Sequence, residues 1–162
     1  MNYFELFDLP LAPTVDKSIL SKKYFELQKK FHPDFFSNSE ENEREEMLQQ
    51  SASVNKAYKT FQNPDLTIEY FLQTTGLITP DEKYNLPADF LMEMMEVNEG
   101  LTEDEPGTLK VVAEFQEKLR EDIKHILENY STGSVDGADM EKLKSYYYRR
   151  KYLKRILDRL AD

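Results

Sequence analysis

Two side chains able to exchange protons stand one residue apart at His32-Pro33-Asp34. An imidazole and a carboxylate at that spacing could serve general acid-base chemistry if a nucleophile, an oxyanion site or a metal stood beside them. None does. The chain has two histidines, His32 and His125, and no cysteine, which excludes disulfides and thiolate metal sites and leaves too few imidazoles for a histidine-based centre. A helical hydrolase built on His32 and Asp34 is therefore the weakest reading. The proline decides where the tripeptide sits: Pro33 pushes His32 out of helical backbone space, so a helix running up to Phe31 must stop there. A rigid loop presenting an imidazole and a carboxylate, with no third catalytic group, suits recognition by another protein.

The elements that position this loop follow from hydrophobic periodicity. Nearly every segment repeats near 3.6 residues and none alternates with period two for long, so the fold is expected to be all-α. A short helix over Tyr3–Phe7 precedes one from Asp16 to Phe31, with Leu20, Tyr24, Leu27 and Phe31 on its buried face. A capping box from Ser37 to Glu40 is expected to open a third helix over Glu41–Phe61, with Met47, Ser51, Val54, Tyr58 and Phe61 inward. Two long helices joined by about nine residues bury both stripes only when antiparallel, which leaves the loop projecting from one end. A shorter helix follows within Leu66–Gly76, and its aromatic content suggests packing between the two halves of the molecule. Two prolines and polar residues between Leu77 and Pro87 mark a domain boundary. Three further helices, near Ala88–Leu101, Leu109–Tyr130 and Ala138–Leu160, predict a small antiparallel bundle. The domains are thus residues 1–75, a linker at 76–87, and a three-helix bundle at 88–162.

Charge separates the two halves. The net charge is −10, which repels nucleic acid, yet the helix before His32 carries Lys17, Lys22, Lys23, Lys29 and Lys30 against Asp16 and Glu26. That local positive field would steer an acidic partner, although lysines on a helix face otherwise simply keep it solvated. From Tyr84 to Leu109 there are seven acidic residues and no basic one, and from Lys142 to Arg159 eight basic and one acidic. The simplest expectation is that these two helices are neighbours whose charges pair across the bundle. No stretch approaches a membrane span and no export signal opens the sequence, so the cytoplasm is the expected compartment, with no cofactor, metal, membrane or nucleic-acid partner.

In the helix starting at Ala88, turning each position by about 100° puts Phe90, Met94, Val97 and Leu101 on one stripe, enough to pack the bundle. Leu91, Met92 and Met95 point roughly 100–200° away, beside Glu96 and Glu99. They are candidates for an exposed patch, and thioether chains adapt readily to a partner's shape. The competing possibility is that this wide apolar face packs on the fourth helix. In the last helix Leu143, Tyr146, Leu153, Leu157 and Leu160 form a stripe, with Tyr148 and Tyr152 to its side and Lys144, Lys151 and Arg155 behind.

The order of short helix, basic helix, His-Pro-Asp loop and antiparallel helix resembles a J-domain over about residues 1–75. J-domains engage DnaK-type chaperones of the 70-kDa heat-shock family. The resemblance implies that His32, Pro33 and Asp34, with Lys22, Lys23, Lys29 and Lys30, contact such a chaperone. The opening Asn2–Pro10, Gln50–Tyr58, Glu69–Leu72 and Phe90–Glu93 are similar to the HscB family of J-type co-chaperones in iron-sulfur cluster biogenesis. This resemblance implies delivery of an IscU-type scaffold to a DnaK/HscA-type chaperone and stimulation of its ATPase, with no chemistry by the chain itself. The positions matching the family's scaffold contacts are Leu91, Met92, Met95, Glu96 and Glu99, together with Tyr152 in the last helix. No cysteine-containing N-terminal extension is present, which suggests the bacterial type. Met95, Val97 and the tyrosine run at 146–148 depart from the family pattern. The alternative is a general J-protein that feeds unfolded clients to its chaperone through the same apolar patch.

Overall fold

The computed structural model describes residues 1–161 of the chain, without the side chain of residue 161. The described residues form seven α-helices and no strand: α1 (Tyr3–Leu6), α2 (Lys17–Phe31), α3 (Glu41–Gln62), α4 (Pro64–Thr74), α5 (Ala88–Glu103), α6 (Glu105–Asn129) and α7 (Gly137–Asp158). They divide into two compact units, Met1–Gly76 and Leu77–Asp162.

In the first unit α2 and α3 pack antiparallel. Tyr24 stacks on Tyr58 with ring centres 3.8 Å apart. The Asn55 Oδ1 accepts from both the Tyr24 hydroxyl and Gln28 Nε2, each at 2.8 Å, which ties the two helices together near the loop end. Asp16 is the N-cap of α2, accepting from the amides of Ser18 and Ile19. At the opposite end of the pair, Phe4, Phe7, Phe61 and Phe71 are buried with Leu20, Ile68 and Leu72. Asn63-Pro64 ends α3 and starts α4 in one step, since Asn63 caps the amides of Asp65 and Leu66 while Pro64 takes the first helical position. Tyr70 stacks on Tyr3 at 4.5 Å, and its hydroxyl accepts from the Tyr3 amide.

The expected capping box at Ser37–Glu40 does not form. Pro33 opens a 3₁₀ turn over Pro33–Phe36, and the Ser37 hydroxyl turns back to the Asp34 carbonyl instead; Glu40 caps α3 without a side-chain hydrogen bond.

In the second unit α5, α6 and α7 pack on one another. Phe90, Met94, Val97 and Leu101 of α5 are all buried, with Val112, Leu153 and Ile156 from the other two helices. The stretch Thr102–Gly107 is not the loop its turn formers suggest. Asp104 alone joins the helices, with φ −148° and ψ 80°, and its carboxylate caps the Gly107 amide. Pro106 fits the first turn of α6, and a Cβ at Gly107 would collide with that carboxylate. Near the end of α7 the buried stripe runs Leu143, Tyr146, Leu153, Ile156. Leu160 is exposed because the α-helix stops at Asp158 and tightens into a 3₁₀ turn, which rotates it off the stripe.

Residues 77–87 count with the second unit and are fastened to α7. Tyr84 stacks on Tyr148 at 4.4 Å, and Glu82 Oε2 lies 2.8 Å from Lys144 Nζ. Burial, with the Glu82 carboxylate beside it, pushes the Tyr148 hydroxyl up to about 12. Hydrogen bonding to Glu82 raises Lys144 as well. The expected pairing of α5 carboxylates with α7 cations is not found: no ion pair within 4.0 Å joins Glu93, Glu96 or Glu99 to α7 among the described residues. These carboxylates are exposed, and water solvates them at less entropic cost than a held surface pair.

Candidate functional sites

The first site is built by the end of α2. His32 is its last cap residue, with φ −63° and ψ 131°, the extended conformation that a following proline imposes. Its backbone amide still bonds the Gln28 carbonyl at 2.9 Å, so the helix fixes where the side chain starts. The Asp34 amide donates to His32 Nδ1 at 3.2 Å. With Nδ1 accepting, the ring's N–H lies on Nε2. Asp34 is 88% exposed, and its Oδ2 is 3.6 Å from His32 Nδ1. The turn packs on α3, so a rigid element holds both groups.

The lysines sort into two sets. Lys22, Lys29 and Lys30 are exposed along α2. Lys29 Nζ lies 4.7 Å from the Phe25 ring centre, and Lys30 Nζ 5.2 Å from that of Phe31. Lys23, expected to share that role, is instead half-buried and donates to the Asp8 carbonyl, with the Asp8 carboxylate 3.7 Å away. Asp8 has φ 49°, in the left-handed region, and Lys23 bonds the carbonyl that this turn exposes. Lys23 thus ties α2 to the chain after α1.

The second site is the outer side of α5 and its groove with α7. Met92 and Met95 are 64% and 63% exposed, and Glu96 and Glu99 are exposed beside them. Leu91, expected in the same patch, is half-buried against the core cluster because it lies at the α7 edge of the helix. Tyr152 is also half-buried, its ring edge-on to Phe90 at 6.0 Å. Two adjoining grooves share Tyr152 and Arg155: one of about 430 Å³ reaches Leu91 and Tyr148, the other of about 310 Å³ reaches Met95 and Asn98. Leu91, Met95 and Tyr152 therefore border one concave surface between α5 and α7; Met92 and Glu99 are exposed on the outer side of α5, and Glu96 lines the groove on the other side of the helix, toward α6. The sequence pattern placed Arg155 behind the α7 stripe, but it lines both grooves. No group of three or more His, Cys, Asp or Glu is placed to hold a metal ion among the described residues, and no described helix is long and apolar enough to cross a membrane.

An antiparallel helix pair with a His-Pro-Asp turn at its end, followed by a separate helical bundle, is the architecture of a J-domain with a C-terminal helical domain. The comparisons with known proteins agree. Residues 86–161 match the family model described as the HSCB C-terminal oligomerisation domain. Co-chaperone HscB homologues from Vibrio cholerae and Vibrio vulnificus are 44% and 42% identical over 62% and 67% of this chain. Those matches span 60% and 64% of the relatives' own lengths. Among solved structures, chaperone HscB from Vibrio cholerae is 31% identical with a TM-score of 0.58, covering 99% of both chains. Human co-chaperone protein HscB is 28% identical with a TM-score of 0.78, over 99% of this chain and 81% of that one. The chain belongs to the HscB family.

Proposed function

We propose that this chain couples an IscU-type iron-sulfur scaffold to a DnaK/HscA-type chaperone in the cytoplasm. The bundle binds the scaffold, the J-domain docks on the ATP-bound chaperone, and the His32-Pro33-Asp34 turn promotes hydrolysis there, so that the chaperone closes on the delivered client. The chain is an activator of that ATPase and performs no chemistry. The observation that carries this reading is the presence, in one chain of this family, of a His-Pro-Asp turn packed on α3 and a separate groove bordered by the exposed Met95, with Met92 exposed beside it.

The chemistry of each surface supports its assigned partner. Lys22, Lys29 and Lys30 favour an acidic docking surface, and Asp34 suits a basic group within it. At the bundle, Met92 and Met95 offer adaptable apolar contact, Leu91 and Tyr152 shape the groove, and Glu96 and Glu99 face a basic rim on the scaffold. A calorimetric titration with a purified IscU-type scaffold tests this: saturable one-to-one binding is expected. Absence of binding, with chaperone stimulation intact, would leave a J-protein that delivers other clients.

A further inference from the structure

Lys22, Phe25, Lys29 and His32 follow one another at spacings of three, four and three, which puts them on one face of α2. Phe25 is 62% exposed, and Phe35, on the turn just past Asp34, is 66% exposed. Neither ring is used by the core, although Phe4, Phe7 and Phe61 of the same unit are almost fully buried. Each is instead paired with a group of the docking face. Lys29 sits over the Phe25 ring, and the His32 and Phe35 rings meet edge-on at 6.1 Å. The face thus alternates cations with exposed rings, from Lys22 to the end of the His-Pro-Asp turn.

Lysines alone would make a weak and fragile dock. Exposed ion pairs contribute little, and salt screens them as the Debye length falls from about 10 Å at 0.1 M to about 3 Å at 1 M. Aromatic side chains that enter a partner's pockets contribute through burial, which salt does not screen, and they dominate binding energy where they occur. We propose that Phe25 and Phe35 are apolar anchors of the chaperone-docking face, inserting into apolar pockets within an acidic protein surface while Lys22 and Lys29 steer the approach. This rests on the chaperone reading above, and it makes the aromatic pair, rather than the lysines, the source of residence on the partner.

The test is the concentration of full-length chain that half-saturates ATPase stimulation of a purified DnaK-type chaperone, at about 0.1 M and about 1 M salt. Phe25→Ala and Phe35→Ala are each expected to raise it about tenfold at both salt levels, whereas Lys22→Ala with Lys29→Ala raises it chiefly at low salt. Phe25→Leu with Phe35→Leu is expected to retain most of the affinity, and the unfolding midpoint should stay unchanged because both rings are exposed. Half-saturation unaltered in the Phe25→Ala, Phe35→Ala chain, with Asp34→Asn silent, would overturn the anchors while leaving the chaperone role standing. No stimulation by the unaltered chain would overturn both.

Discussion

Three methionines within four positions of α5 provide a direct separation of binding from folding. Met94 is 1% exposed, whereas Met92 and Met95 are 64% and 63% exposed. Full burial of a methionine side chain stabilises by about 1.5–3 kcal/mol, so covering the exposed two thirds of each would contribute about 1–2 kcal/mol to docking. The double change Met92→Ala, Met95→Ala removes most of that contact and should weaken scaffold binding by about 2–3 kcal/mol, roughly 30- to 150-fold. Stability should stay within about 0.5 kcal/mol, because the lost atoms face water and alanine is the stronger helix former. Met94→Ala is the internal control. It opens a cavity among Phe90, Val97 and Leu153 and should cost about 2–5 kcal/mol of stability. Calorimetric titration reads the affinity, and urea unfolding followed by circular dichroism reads the stability. The reasoning fails if the double variant unfolds as early as Met94→Ala, or if it binds the scaffold as the unaltered chain does.

Other consequences are equally open to measurement. Asn55→Ala removes the acceptor shared by Tyr24 and Gln28 and should cost about 1–2 kcal/mol in urea unfolding, with α5–α7 unaffected. Spectrophotometric titration should show Tyr148 ionising late, near 12, and Glu82→Gln should bring it part of the way back toward 10. Since the folded value lies above the unfolded one, the associated stability is complete below pH 10 and declines as pH rises from about 10 through about 12. Asp139 behaves in the opposite sense. The Asp136 amide and the neighbouring His125 hold its carboxyl below 3.8, so the stability it lends to the start of α7 is full above that pH and is lost as pH falls through the lowered folded value; Asp139→Asn should abolish that part of the acid transition.

The α5 core stripe was legible because a regular helix converts spacing directly into direction, and Phe90, Met94, Val97 and Leu101 obey it. Leu91 was not, since a helical wheel gives an angle but not the breadth of the neighbouring helix, and α7 reaches far enough to half-cover it. The end of α7 misled for a related reason: periodicity extrapolated to Leu160 assumes a helix that does not tighten. Thr102–Gly107 reads as a loop because proline and glycine are turn formers in general, yet there they serve a helix start, where Pro106 fits and Gly107 clears the Asp104 carboxylate. The His32 geometry was legible because proline acts on its neighbour regardless of context. Lys23 and Phe25 show the remaining limit. Sequence reports that a lysine or phenylalanine lies on a helix, but only the fold decides that Lys23 meets the Asp8 carbonyl and that Phe25 stays exposed with Lys29 over its ring.

If the two sites of the chain act together, the rate of ATP hydrolysis by the purified chaperone responds to both, and it is measured with and without an IscU-type scaffold. The unaltered chain should stimulate alone and more strongly with scaffold present, Asp34→Asn should do neither while still binding scaffold, and Met92→Ala with Met95→Ala should keep the first effect and lose the second. Stimulation retained by Asp34→Asn, or a scaffold effect undiminished in the methionine variant, would contradict the account.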